Sequence, residues 1–74
     1  LNVDKCSFTS SDSATDKAAI QMHTELGITG NVKITETTAT GFADINGGLW
    51  NELNNQNGTP TDKFDIWVDG TQVH

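Results

Sequence analysis

Phe64-Asp65-Ile66-Trp67-Val68-Asp69-Gly70 alternates with a period of two. That period marks a strand with one face on the core. Phe64, Ile66 and Val68 fall on the core face, and Asp65, Trp67 and Asp69 on the other. A tryptophan between two carboxylates on the non-core face reads as a contact surface rather than a reaction centre.

Outward from this strand the elements are shorter. Asn54 to Pro60 is a polar breaker loop. Before it, Leu49, Trp50 and Leu53 cluster as on a brief helix, Leu49 to about Gln56, with Trp50 in the core and an Asn46-Gly47-Gly48 turn at its start. Gly41 to Ile45 reads as a short strand. Val32 and Ile34 alternate with Lys33 and Thr35, a good strand that Thr35 to Thr38 extends or turns. The spacing of Thr15, Ala18, Ala19, Met22 and Leu26 predicts a helix over 14–26, with Ile20 outside its apolar stripe. Ser13 and Asp16 supply its start and Gly27 its C-cap. Residues 2–9 form a weak strand, because Val3, Cys6 and Phe8 break alternation, as an edge or a bulge does. No internal sequence repeat and no linker are visible, so residues 1–74 make one domain.

Charge narrows the partners. The chain carries ten acids against four lysines, a net charge of −6, and no arginine. Nucleic-acid binding needs a basic stripe, with arginine its usual base and phosphate reader, so nucleic acid is not an expected partner. An anionic membrane is disfavoured for the same reason, and no apolar run is long enough to span one. Positive potential, including that of helix N-termini, suits this surface. The chain begins at Leu1, which reads as a mature or trimmed product; a secreted or extracellular setting is expected. Asn57-Gly58-Thr59 fits a glycosylation sequon, with Pro60 directly after it.

Catalytic and metal patterns are weak. Cys6 is the lone cysteine and reads as a small buried apolar residue. His23 and His74 are the only histidines, and with Cys6 they form no spaced ligand set. His23 reads as a half-buried helix residue. Asp44-Ile45-Asn46-Gly47-Gly48 has the start of a calcium loop, but Leu49 stands where its glycine belongs and no glutamate closes it. A turn is the better reading. No nucleophile motif is present. The expectation is therefore not an enzyme, with no cofactor and no metal.

The predicted order is strand, helix, strand, strand, helix, strand. This makes an α+β fold of ferredoxin-like βαββαβ type: a four-stranded antiparallel sheet with both helices on one face. Its expected core is Phe8, Met22, Leu26, Val32, Ile34, Leu53, Phe64, Ile66 and Val68.

With Gly41-Phe42-Ala43, Leu49 to Leu53, Asp65-Ile66-Trp67-Val68-Asp69-Gly70 and Gly30-Asn31-Val32-Lys33-Ile34, the pattern resembles the propeptide-type inhibitors of subtilisin-like serine proteases. The resemblance implies a monomeric protein-binding domain. The open sheet face, with Asp65, Trp67 and Asp69, would pack on the protease. The tail Thr71, Gln72, Val73 and His74 would lie in the cleft, with His74 in the main specificity pocket. The alternative reading is a structural or assembly protein, such as the globular part of a surface filament subunit or a phage structural protein. Self-association separates the two.

Overall fold

The computed structural model describes residues 1–12, 18–25, 28–43 and 46–74. Among these residues eight strands form: β1 (Asn2–Asp4), β2 (Ser7–Thr9), β3 (Ile20–Thr24), β4 (Gly30–Thr35), β5 (Thr38–Thr40), β6 (Trp50–Asn54), β7 (Phe64–Val68) and β8 (Thr71–Gln72). No helix occurs among the described residues. The expected βαββαβ fold, its antiparallel sheet and its two helices are therefore corrected.

The pairing shows why. Strands join their counterparts one coil later, in parallel: β1 with β4, β4 with β7, β2 with β5 and β3 with β6. Asn2 lies against Lys33, Ser7 against Thr38, Ile20 against Trp50 and Gly30 against Phe64. The chain thus winds two coils of three strands each and starts a third with β7. This is a β-solenoid, in which each coil contacts its neighbours in the stack. The Cα extents are 33 × 29 × 15 Å. Four strands ~4.8 Å apart span about 14 Å, so the thin axis is the stacking direction.

The core consists of side chains stacked in columns along that axis. Val3, Ile34 and Val68 form one column, Val32 and Ile66 another, and Ile20 and Trp50 a third. Ile20, Met22, Val32, Ile34, Trp50 and Ile66 are buried, with Val3, Phe8, Phe64 and Val68 packed on them. Of the expected core, Met22, Val32, Ile34 and Ile66 are buried, while Phe8, Leu53, Phe64 and Val68 are half-buried. Leu26 lies outside the described residues, as do Ser13, Asp16, Gly27, Asp44 and Ile45.

Where helix 14–26 was expected, residues 20–24 are strand. Ile20, Met22 and Thr24 point inward, and Gln21 and His23 outward. Ile20, the residue that fitted no helical stripe, is part of the core. His23 is an exposed strand residue rather than a half-buried helical one. Where the Leu49–Gln56 helix was expected, β6 runs Trp50–Asn54. Gly41 to Ala43 belong to no strand.

A repeated corner bends each coil. Lys5, Glu36 and Asp69, directly after β1, β4 and β7, have φ of 54°, 47° and 49°. Left-handed backbone at a non-glycine residue costs about 1–3 kcal/mol and persists only where the surroundings impose it. After Lys5 and Glu36 the chain continues into β2 and β5. After Asp69 comes Gly70, also with positive φ, at 83°. Two successive positive-φ residues make the tight hairpin turn that Asp-Gly favours. The chain therefore doubles back as β8, antiparallel to β7, with Val68 facing Thr71 and Trp67 facing Gln72.

Candidate functional site

Two clusters flank β7. The first is the outer face of the β1-β4-β7-β8 sheet. Trp67 stands there half-buried beside Lys33, its register neighbour on β4. The Lys33 ammonium lies 5.8 Å from the indole centroid, within cation–π range. The two residues border a groove of about 380 Å³ lined also by Asn31, Ile34, Thr35 and Gly70. Asp65 is exposed and aligned with Asn31. Asp69 does not share this face. It sits at the corner, where its Oδ1 accepts the Glu36 N–H at 2.8 Å. The expected Asp65, Trp67 and Asp69 surface is thus a Trp67–Lys33 pair with Asp65 beside it. Asp69 instead ties two corners together.

The second cluster surrounds Glu52. A strand reading of β6 puts Trp50 and Glu52 on one face, and Glu52 stacks above Met22. Its side chain is fully buried. Its oxygens accept the Thr61 hydroxyl at 2.5 Å, the Lys63 N–H at 2.6 Å and the Phe64 N–H at 2.7 Å. A buried carboxylate needs such donors to offset its lost hydration. Glu52 therefore holds the 61–64 segment against the coil below and sets where β7 starts.

The tail closes this cluster. The Val73 N–H donates to Ile66 O at 2.8 Å, and the Ile66 N–H to His74 O at 3.2 Å. The His74 ring packs on Trp50, with centroids 4.8 Å apart and planes at 48°. Its Nε2 donates to Thr61 O at 2.9 Å and lies 3.6 Å from Glu52 Oε1. Thr71, Gln72 and Val73 are exposed, but their backbone belongs to the sheet. The structure places Thr71 and Gln72, expected in a protease cleft, in β8 along β7, and seats the His74 ring on Trp50.

A cleft of about 270 Å³ borders Glu52, Trp50, Thr61 and His74. Glu52 spends its lone pairs on loop donors, and the Nε2 proton of His74 is held by a carbonyl. Among the described residues no three His, Cys, Asp or Glu side chains come together as a metal site requires. Glu52, Thr61 and Lys33 were not foreseen as site residues. Once β6 is taken as a strand, the alternation Trp50, Glu52 marks that carboxylate as inward.

No family model matches the chain, and no curated protein or solved structure matches it either.

Proposed function

We propose that this chain is a structural, assembly-type module, a β-solenoid segment that adds strands at one end. The supporting observation is the difference between its two ends. At the β7 end, β8 covers β7, and residues 59–61 run antiparallel along β6. There Leu53 bridges Pro60, the Asn54 N–H donates to Thr59 O, and the Thr61 N–H donates to Glu52 O. Two of three faces are closed by reversed chain. At the other end, among the described residues, β1, β2 and β3 are each the last strand of their sheet. Open strand edges are templates for further strands, and solenoid ends need caps to stay soluble and single.

The protease-inhibitor reading is the competing proposal. It draws on the half-exposed Trp67, but it requires residues 71–74 to leave β7 and His74 to leave Trp50. Sedimentation and an inhibition assay separate the two. The assembly reading expects concentration-dependent association and no inhibition of a subtilisin-like protease at micromolar chain. A monomer that inhibits such a protease would overturn it.

A further inference from the structure

We infer that the open first coil pairs with the first coil of a second copy, head to head about a two-fold axis, giving a closed dimer rather than a fibre. The inference rests on the assembly reading and specifies its partner.

Among the described residues the backbone bonds fix which groups face the open edge; of these, Asp4 O also accepts the Cys6 Sγ–H at 3.3 Å. Lys33 N–H donates to Leu1 O, and Lys5 N–H to Thr35 O. Alternate residues of a strand point their N–H and C=O to opposite edges, so the groups of Asn2 and Asp4 face away from β4. Likewise Thr38 N–H donates to Cys6 O, and Ser10 N–H to Thr40 O. Ser7 and Thr9 therefore face the open edge of β2. On β3, Ile20 N–H donates to Leu49 O and Asn55 N–H to Thr24 O. Gln21 and His23 therefore face the open edge there. All six carry polar, outward side chains.

Stacking the open end on the far end of another copy would bring β1 onto β8, whose hairpin reverses the chain and interrupts the parallel register. Stacking open end on open end has no such obstacle. A two-fold axis through Val3 sets β1 antiparallel to its mate, with Asn2 opposite the partner's Asp4. The outward N–H and C=O groups of Asn2 then meet those of the partner's Asp4 as a hydrogen-bonded pair. No like charges face each other in this register. The same axis brings β2 alongside the partner's β3. The area suffices: an ellipse with the 33 and 29 Å axes covers about 750 Å² on each side. The total, ~1,500 Å², is that of a standard stable interface. An isologous contact of this kind closes on itself.

The test is sedimentation equilibrium of the intact chain with three substitutions at Asn2, whose side chain points away from the core. Wild type should approach twice its 8.0 kDa mass and stop there. Asn2→Pro removes one outward N–H and should weaken association at least tenfold without changing the far-UV spectrum. Asn2→Asp, facing the partner's Asp4, should weaken it, and Asn2→Lys should tighten it. The Asn2 and Asp4 amides should gain exchange protection on dimerisation. Open-ended association, or association indifferent to all three changes, overturns the head-to-head pairing and leaves the assembly reading standing. A monomer at millimolar concentration overturns both.

Discussion

Glu52→Gln is the most exacting perturbation of this fold. Glu52 Oε2 accepts Thr61 Oγ1 and the Lys63 N–H, and Oε1 accepts the Phe64 N–H. Glutamine has one carbonyl oxygen and one NH₂. With its oxygen at the Oε2 position it keeps two partners, and its NH₂ confronts the Phe64 N–H. Flipped, it confronts the Lys63 N–H instead. Either way one buried donor is orphaned, at about 1–3 kcal/mol, and the retained bonds fall from carboxylate to neutral strength, about 1 kcal/mol each. The sum is ~3–5 kcal/mol. At ~0.05–0.15 kcal/mol per residue, a chain of this size has about 4–11 kcal/mol in all. Urea unfolding followed by circular dichroism should show the midpoint fall by ~3–5 M, given a slope near ~1 kcal/mol/M. A midpoint within ~0.5 M of wild type would refute the reasoning. That is the result for an exposed surface residue, such as Glu52 would be on a helix.

Two further substitutions test the stack and its turns. Ile66 is fully buried between Val32 and the tail, so Ile66→Ala should cost about 2–5 kcal/mol and leave the chain largely unfolded in thermal melts. Gly41 and Gly70 both have positive φ, but a Cβ at Gly41 would meet Ser10 O at 2.1 Å, whereas one at Gly70 meets nothing within 4 Å. Gly70→Ala should cost about 1 kcal/mol from backbone strain alone, and Gly41→Ala clearly more. Equal losses by differential scanning calorimetry would contradict the Gly41–Ser10 approach.

The sequence by itself determined the strands at 30–35 and 64–68, the buried Val32, Ile34, Ile66 and Trp50, and the turn at Asn46-Gly47-Gly48. Each is a local matter, set by period-two alternation or by turn chemistry. Tertiary structure decided β3 and β6. Ala18, Ala19 and Met22 suit a helical stripe, and Ile20, Met22 and Thr24 suit a strand face. Segments this short carry both periods, and only pairing with a strand 30 residues away selects one. The coil repeat escaped notice because its columns mix residue types: Met22 stacks on Glu52, and Phe8 on Ala39. Stacking demands that each column be filled and its polar atoms satisfied, not that the same residue recur. The candidate site follows the same rule. Trp67 was visible as an outward aromatic, but its Lys33 partner comes from the next strand over. The burial of Glu52, the seat of His74 against Trp50 and the open edge at Asn2 and Asp4 all arise from contacts between coils, which no local window contains.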